Sequence, residues 1–242
     1  MRGIDISQHN GNIDWSKVKA SGKVDFAILR CGFGREHIRQ IDRTFEKNYA
    51  ECKRVGLPVG VYHYSYAGSA EDAEKEADFC LKLIRDKQLE FPVWYDIEER
   101  SHVLRGNCDD LVKAFCGKLE AAGYFAGVYT FDSFAKTNLT DKTKKRYAMW
   151  IARIGGAPKY SPYGMHQHSW TGNLSGINGD VDLNISYIDY SKIIKSKRLN
   201  GFAEAEKHFK VSAVIEGVSS EEADRIQREC SEMGMTAVKM EV

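Results

Sequence analysis

Short apolar runs alternate with amphipathic segments along most of the chain. The run VDFAILRCG is apolar almost throughout, which is typical of a strand that is buried on both faces. Between such runs, apolar residues recur at helical spacing, as in Ala73, Ala77, Cys80, Leu81 and Ile84. The pattern predicts strands joined by helical crossovers, and therefore an α/β protein with a parallel sheet, over about the first 190 residues.

Eight strands and four helices are predicted in this region. The strands are RGIDIS, VDFAILRCG, PVGVYHYSY, FPVWYDIE, YFAGVYTF, YAMWIARI, YGMHQHSWTG and GDVDLNISY. The helices are DWSKVKASG, DRTFEKNYAECKRVG, SAEDAEKEADFCLKLIRDK and CDDLVKAFCGKLEAAG. Because the last three strands have little helical sequence between them, we do not expect a regular eightfold barrel.

The character of the chain changes near Tyr190. The segment SKIIKSKRLNG is basic and polar and ends at Gly201, so residues 191–202 are predicted to link a main domain, 1–190, to a small domain, 203–242. This tail repeats the strand–helix–strand (βαβ) pattern once, as FKVSAVIEGV, SSEEADRIQRECSEMG and MTAVKMEV. Ser219 or Ser220 can cap its helix.

The tail is close to the lower size limit for an independent core, and a two-stranded sheet leaves two open edges. Two tails that pair across a twofold axis would complete one domain, which predicts a homodimer formed through the tail. A monomer whose tail docks on its own main domain is the alternative, and both stay open at this point.

Composition excludes several classes of function. The 242 residues are 43% hydrophobic. Their formal net charge is only +1, so the composition gives no excess of positive charge with which to bind nucleic acid. No apolar run approaches the length of a membrane span, and the first residues contain no apolar signal-peptide core. We therefore expect neither nucleic acid nor membrane as a partner. The six cysteines are scattered without a CxxC pair, which favours reduced thiols over a zinc ribbon.

Carboxylates gather where active sites of such sheets lie, at the carboxyl ends of strands. Asp5 ends the first strand, Asp96 and Glu98 end VWYDIE, and Asp182 lies in the last strand. Asp96 and Glu98 are two residues apart, so on a strand they share a face, which is costly unless the pair is used for chemistry or bound. One protonated and one ionised carboxyl group are what glycosidic cleavage needs, and the spacing leaves retention and inversion open.

Aromatic and histidine residues supply further candidates. Sugar subsites need aromatic faces, and those near predicted strand ends, each of which could instead belong to the core, are Tyr62, Tyr64, Trp94, Tyr129 and Trp150. A metal site could combine Asp5 with histidines, namely His9, His63, His166 and His168. No HExxH or similar spacing supports that site, so we expect no catalytic metal and no cofactor.

The motifs GIDISQHNGNIDW, VYHY, YDIE, GVYT, WIAR and GINGDVDLN occur in the order seen in the glycoside hydrolase family 25 lysozymes, which this chain resembles over about residues 1–190. The resemblance implies an irregular, flattened α/β barrel. It also implies N-acetylmuramidase activity, the hydrolysis of the β-1,4 bond from N-acetylmuramic acid to N-acetylglucosamine in peptidoglycan. Enzymes of this type without a leader resemble phage or prophage endolysins, which stay in the host cytoplasm until they reach the cell wall at lysis.

The resemblance also implies roles for single residues. Glu98 looks like the proton donor, Asp96 looks like its partner, and Asp5 and Asp182 look like the other acids of the groove. Arg30, Tyr62 and Tyr129 fall at positions that resemble substrate contacts of the family. Tyr64 and Trp150 are added to them as aromatic candidates for substrate binding.

The chain departs from the family pattern in one stretch, MHQHSWTG. Gln167 is kept as a further substrate-binding candidate, but His166 and His168 replace the flanking aromatics, and Trp170 is a candidate replacement for the lost sugar-stacking surface. The tail lies outside the resemblance and weakly resembles half of a ferredoxin-like or SPOR-type wall-binding domain. Two other functions stay open: a non-catalytic glycan-binding module of the cell wall, and a metal-dependent polysaccharide deacetylase.

Overall fold

The computed structural model describes residues 1–35, 37–99, 102, 107–159, 162–202, 216–232 and 236–239. The chain divides into two compact units, residues 1–203 and residues 204–242.

A closed eight-stranded barrel forms the first unit. Its strands are β1 (Arg2–Ile6), β2 (Phe26–Phe33), β3 (Val59–Tyr64), β4 (Val93–Asp96), β5 (Ala126–Phe131), β6 (Ala148–Ala152), β7 (Met165–Gly172) and β8 (Val181–Ser186). Neighbours from β1 to β7 pair in parallel, whereas β8 is antiparallel to both β7 and β1. The irregular α/β barrel is therefore confirmed. β8 departs from the predicted parallel sheet, because the short turn after β7 cannot hold a crossover, and the barrel is therefore not a regular eightfold one, as expected.

Helices cover the outside of the barrel. Those described in this unit are α1 (Trp15–Ala20), α2 (Phe45–Arg54), α3 (Ala70–Ile84), α4 (Cys108–Ala121), α5 (Asp132–Asn138), α6 (Asp141–Arg146) and α7 (Tyr190–Ser196), with 3₁₀ turns at Gln8–Asn10 and Ile38–Gln40. The Ser69 side chain caps α3 by accepting a hydrogen bond from the backbone N–H of Asp72. Sequence analysis missed α5 and α6, because helices of seven and six residues are too short to show a helical period.

Strand alternation divides the apolar residues between two layers. The outer layer lies between strands and helices and includes Val61, Cys80 and Phe115, all fully buried. The inner layer fills the barrel with large rings: Phe26, Phe91, Trp94, Trp150 and Tyr190. Because these rings occupy the interior, polar side chains of the strands are left to line the end where the parallel strands finish.

Residues 191–202, predicted to be a connector, belong to the first compact unit and pack against the barrel. Tyr190 and Ile194 of α7 are buried against the inner layer. Asn200 is fully buried, and its side-chain amide donates to the backbone carbonyls of Leu89 and Phe91 at 3.1 and 2.9 Å. Its side-chain oxygen accepts from the backbone N–H of Phe125 at 2.7 Å. These contacts satisfy backbone groups before β4 and β5, so Asn200 fastens the end of this segment to the first unit.

The described part of the second unit is a helix and a short segment. α8 (Ser220–Glu232) begins after Ser219, whose hydroxyl accepts from the backbone N–H of Glu222. Residues 209–215 of the predicted first strand of the tail fall outside the described residues, and its last three residues, 216–218, are not in a strand. The predicted second strand is not formed over residues 236–239, where Lys239 donates to Asp224 of the helix at 2.9 Å and the carbonyl of Ala237 accepts from Gln227.

Two general expectations can be compared with the fold. All six cysteines are free, and five of them are buried. Within the described ranges, no helix combines the length and the apolar character needed to cross a bilayer.

Candidate active site

Four acids meet at the carboxyl end of the barrel. Asp5 of β1 pairs in register with Asp182 of β8. Asp96 is the last residue of β4, so Glu98 lies two residues beyond the strand that was expected to contain it. Asp5 and Asp96 are only 8% and 4% exposed, while Glu98 and Asp182 are half-buried. The structure thus brings together the four acids that the sequence singled out.

Two amide side chains hold the first of these acids. Gln167 of β7 donates from Nε2 to Asp5 Oδ2 at 2.9 Å and to Asp182 Oδ2 at 3.1 Å. Asn184 of β8 donates from Nδ2 to the same Asp5 oxygen at 2.7 Å, and its own oxygen accepts from the indole N–H of Trp150 at 2.8 Å. Because two donors converge on one oxygen, the network favours the ionised form of Asp5.

Burial and crowding raise the pKa of every acid in the group. Burial, together with the nearby charges of Glu99 and Asp5, raises the pKa of Glu98 to about 7, and the Tyr129 hydroxyl partly offsets this shift. Burial and the charge of Asp5 raise the pKa of Asp182 to about 8. Burial and the charge of Glu98 also raise the pKa of Asp96 well above its ordinary value. Burial raises the pKa of Asp5 too, despite its amide donors. The crowded carboxyl groups therefore share protons near neutral pH, so that one of them can stay protonated as a general acid while another is ionised.

Several polar atoms of the site lack a partner among the described residues. Asp96 Oδ1, Glu98 Oε2 and Arg30 Nη2 are all buried and accept or donate no hydrogen bond there. Buried polar groups are normally paired, since an unpaired one costs about 1–3 kcal/mol. Unpaired atoms on an acid pair and an adjacent cation are therefore suited to contacts with a substrate.

Arg30 is held by an acid that sequence analysis did not identify. Its Nε donates to Asp42 Oδ2 at 2.9 Å, and the Asp42 side chain is fully buried. Asp42 also accepts from the backbone N–H of Gln8 at 2.8 Å and from the hydroxyl of Thr44 at 2.7 Å. Because Asp42 orients the guanidinium, the positive charge stays beside Asp96 and partly offsets the rise in the pKa of that acid.

We expect Asp42→Ala to lower the free energy of unfolding by about 3–5 kcal/mol, because removing one member of a buried ion pair leaves the other charge uncompensated. Asp78→Ala is the matched control, since Asp78 forms an exposed pair with Lys118 and should cost less than about 1 kcal/mol. Urea denaturation of both variants measures the difference. Equal, small losses would contradict a structural role for the Arg30–Asp42 pair.

The predicted aromatic contacts divide into supporting and accessible residues. Trp150 is 1% exposed and lies in the inner layer, so it supports Asn184 and does not offer a face to a sugar. Tyr129 is 7% exposed and donates from its hydroxyl to Gln167 Oε1 at 2.8 Å. Tyr62 is half-buried, with its ring edge-on to Trp150. The indole of Trp170 is 49% exposed and donates to the same Gln167 oxygen at 3.1 Å.

Two other candidates have partners that were not expected. The Tyr64 hydroxyl donates to Glu99 Oε1 at 2.6 Å, so Tyr64 is tied to the segment that carries Glu98. Gln167 is 2% exposed and bonds to the acids themselves, so its place is beneath the groove as an organiser of Asp5 and Asp182. Trp94 is fully buried and belongs to the core.

The histidines do not assemble a metal site with Asp5. The imidazole of His63 donates a hydrogen bond to the carbonyl of Gly34, and that of His166 donates one to the carbonyl of Arg153. His9 is exposed. Over the described ranges, the one group of three or more His, Cys, Asp or Glu with ligand spacing excludes all four groove acids. This arrangement gives the deacetylase alternative no support.

Three contributing residues were missed by sequence analysis: Asn184, Asp42 and Glu99. Asn184 could have been found, because it lies two residues after Asp182 and therefore on the same face of its strand. Asp42 carries no local signal, since it acts on Arg30, which lies in another element. Glu99 carries none either, since it acts through its charge on the pKa of Glu98.

Sequence comparison identifies the relatives of this chain. The family model for "Glycosyl hydrolases family 25" matches residues 4–177. An autolytic lysozyme of Clostridium acetobutylicum is 31% identical over 185 residues, which cover 76% of this chain and 55% of that protein. The Lysozyme M1 of Streptomyces globisporus is 27% identical over 203 residues and is covered to 67%. The chain thus spans little more than half the length of the first of these relatives.

Solved structures extend the comparison. The modular autolysin LytC of Streptococcus pneumoniae has a TM-score of 0.70 at 30% identity, over 77% of this chain and 46% of that protein. The CTP1L endolysin has a TM-score of 0.69 at 25% identity and is matched over 99% of this chain and 83% of its own. The family match covers most of the barrel and includes Asp5, Asp96 and Glu98. The chain therefore belongs to glycosyl hydrolase family 25.

Proposed function

We propose that the protein is a peptidoglycan hydrolase that cleaves the β-1,4 bond between N-acetylmuramic acid and N-acetylglucosamine. The observation that carries the proposal is the meeting of Asp96 and Glu98 with Asp5 and Asp182, all with raised pKa values, at one end of the barrel. The structure of the related LytC in complex with a synthetic peptidoglycan ligand, at 29% identity, supports peptidoglycan as the substrate class.

In this mechanism Glu98 donates its proton to the glycosidic oxygen. With a pKa of about 7, a large share of Glu98 is protonated at neutral pH, and its buried Oε2 has no competing partner among the described residues. As the bond to the leaving oxygen breaks, positive charge develops at the anomeric carbon, and nearby carboxylates stabilise it. Asp5, held by Gln167 and Asn184, and Asp96, beside Arg30, are the two placed to do so.

The accessible aromatic faces define where the sugar chain would lie. Trp170 is half-exposed, and its ring packs edge-on against Phe131 with centroids 6.2 Å apart. Tyr62 is half-buried next to the acids, as the influence of Asp5 and Asp96 on its pKa indicates. A sugar ring can stack on Trp170 while its polar groups reach the acids, so Trp170 takes over the role of the aromatics that His166 and His168 replace.

Mass analysis of digested peptidoglycan tests the reaction directly. Muramidase activity predicts new reducing ends on muramic acid. New reducing ends on glucosamine, or intact glycan strands with cleaved peptides or lost acetyl groups, would contradict it. A protein that binds purified walls without releasing soluble fragments would favour the glycan-binding module.

Chelation separates the proposed chemistry from that of a metal-dependent deacetylase. Since carboxylates supply both the acid and the stabilising charge, we expect wall lysis to persist unchanged in excess EDTA. The turbidity of purified Gram-positive walls measures the rate with and without chelator, and a zinc-dependent wall amidase serves as the control for effective chelation. Lysis that is lost in EDTA while the protein stays folded by circular dichroism, and is restored by zinc, would contradict the proposal.

We further propose that the tail dimerises the enzyme and adds a wall-binding surface. Ala223, Ile226 and Cys230 form a stripe along one side of α8, and none of the described residues of the tail is fully buried. A helix with an apolar stripe gains stability by packing it against a second element, which another tail can supply. The related CTP1L endolysin, whose activity is regulated by a secondary translation product, is matched over nearly the whole of this chain.

Light scattering tests the dimer. The full chain should have the mass of a dimer, whereas Ile226→Asp, which places a charge in the stripe, should be a monomer. Ser231→Asp, at an exposed position of the same helix, is the matched control and should stay dimeric. A monomeric full chain at micromolar concentration would contradict the proposal. A chain that ends at residue 203 and still binds walls equally well would remove the wall-binding role.

The proposed place of action is that of an endolysin, in the host cytoplasm until release to the cell wall. Five buried, free cysteines suit a reducing compartment. Fractionation of host cells before and after lysis would test this location, and accumulation outside intact cells would contradict it.

A further inference from the structure

A second cluster of reactive side chains lies on the other side of the sheet from the groove. Cys31 of β2, His63 of β3 and Cys80 of α3 are all 0% exposed. One ligand atom from each, two sulfurs and a ring nitrogen, lies within 4.8 Å of the others. Because side chains alternate along a strand, Cys31 and His63 face α3 while their neighbours Arg30 and Tyr62 face the groove.

The backbone is irregular at this cluster. β2 and β3 pair Arg30 with Tyr62 and then Gly32 with His63, so Cys31 is an extra residue in a bulge. Bulges re-aim a side chain and are frequent beside functional sites. Here the bulge directs the sulfur of Cys31 toward both His63 and Cys80.

The distances match those of a metal site better than those of a disulfide. The two sulfurs are 3.7 Å apart, far beyond the roughly 2.05 Å of a disulfide bond. Two thiolates about 2.3 Å from one tetrahedral ion would be separated by about 3.8 Å. Cys31 Sγ lies 4.0 Å from His63 Nδ1, whereas a shared ion would bring these atoms to about 3.6 Å, a shift of a few tenths of an ångström.

The imidazole is already oriented for ligation. His63 Nε2 lies 2.8 Å from the backbone carbonyl of Gly34, which can only accept, so Nε2 carries the proton and Nδ1 presents its lone pair to the sulfurs. The ring of His63 is packed between those of Phe79 and Phe115, with centroids 6.1 and 5.7 Å away. A backbone carbonyl that holds the far nitrogen of a histidine is the usual outer partner of a metal ligand.

We propose that Cys31, Cys80 and Nδ1 of His63 bind one soft d¹⁰ metal ion, Zn²⁺ or Cu⁺, in a structural site that fastens α3 to β2 and β3. Thiolate and imidazole are the ligands that these ions share, and oxygen-seeking ions such as Mg²⁺ are excluded by them. Both thiol protons leave to solvent when the ion binds. Because the site is fully buried, the ion enters as the chain folds and takes no part in hydrolysis.

Metal analysis of the full-length protein without a histidine tag tests the site. Native mass spectrometry and elemental analysis should find one Zn²⁺ or Cu⁺ per chain in the purified protein. Refolding the wild-type chain separately with Zn²⁺ and with Cu⁺ identifies the ion that is retained at one equivalent after dialysis. Wild-type protein that retains neither ion, both as purified and after refolding, would overturn the proposal.

Matched variants locate the ion. Cys80→Ser should reduce bound metal at least tenfold, whereas Cys52→Ser, at a fully buried cysteine outside the cluster, should retain it. Metal that persists at one equivalent in folded Cys80→Ser would also overturn the proposal. If Cys80→Ser fails to fold, the cobalt-refolded wild type decides, because two thiolate ligands give sulfur-to-cobalt charge-transfer absorption and its absence excludes the site.

Discussion

Glu98→Gln should lower the rate of wall lysis by about a hundredfold or more, because a positioned general acid contributes at least that much to such a reaction. Glutamine keeps the shape of the side chain but has no proton to donate to the glycosidic oxygen. The variant should stay folded, since glutamine has the same size and the buried Oε2 of Glu98 has no hydrogen-bond partner among the described residues that the change could break. Turbidity loss of purified walls measures the rate, and near wild-type lysis would remove Glu98 from the acid role.

The pH dependence gives an independent check on the same residue. A general acid with a pKa of about 7 acts while it is protonated, so lysis should fall as the pH rises above about 7. Glu99→Gln is the matched variant, because the charge of Glu99 raises the pKa of its neighbour. Removing that charge should move the alkaline limb of the pH–rate profile to lower pH while lysis persists at acidic pH. An unchanged alkaline limb in Glu99→Gln would contradict the assignment of that limb to Glu98.

Asp96→Asn should also lower the lytic rate by about a hundredfold, the usual cost of removing one group that stabilises charge in the transition state. Asp96 is 4% exposed at the end of β4, and Arg30 is the cation that favours its ionised form. Asparagine cannot balance the positive charge that develops at the anomeric carbon. Asp180→Asn is the control, because Asp180 is exposed and should tolerate the same change with little loss of activity.

The stability of Asp96→Asn shows whether its loss of activity has a chemical cause or results from unfolding. The folded-state pKa of Asp96 is raised, so its folded form binds a proton more tightly than the unfolded chain does. Its contribution to stability is therefore present below the unfolded pKa of about 4 and is lost as the pH rises through the folded pKa. Asp96→Asn removes this penalty and should unfold at higher urea concentration than the wild type at alkaline pH. A less stable and inactive variant would show that Asp96 has mainly a structural role.

Much of the barrel follows from local sequence. Apolar runs such as VDFAILRCG give their strands because side chains that are buried on both faces must be apolar, and the stripe from Ala73 to Ile84 gives α3 because its residues share one face. The acids were also identifiable, since Asp96 ends a buried strand and Glu98 lies two residues beyond it, where charge is costly unless it is used. These features depend on residues that are close together along the chain.

The partners of the acids depend on contacts between residues that are far apart in sequence. Asp5 receives hydrogen bonds from Gln167 and Asn184, which are 162 and 179 residues away in sequence, and only the pairing of β8 with β1 and β7 brings them together. Tertiary packing likewise decided the burial of Asn200, which donates to the carbonyl of Leu89, and the approach of Cys31 to Cys80. Sequence by itself determined which segments are strands and helices, because the spacing of apolar residues can be read within each short segment. It also determined which acids are candidates, because the free-energy cost of burying a charge can be judged at each residue. The partners of those acids, and hence their protonation, were set by tertiary structure, because electric fields and hydrogen bonds depend on distance in space and not along the chain.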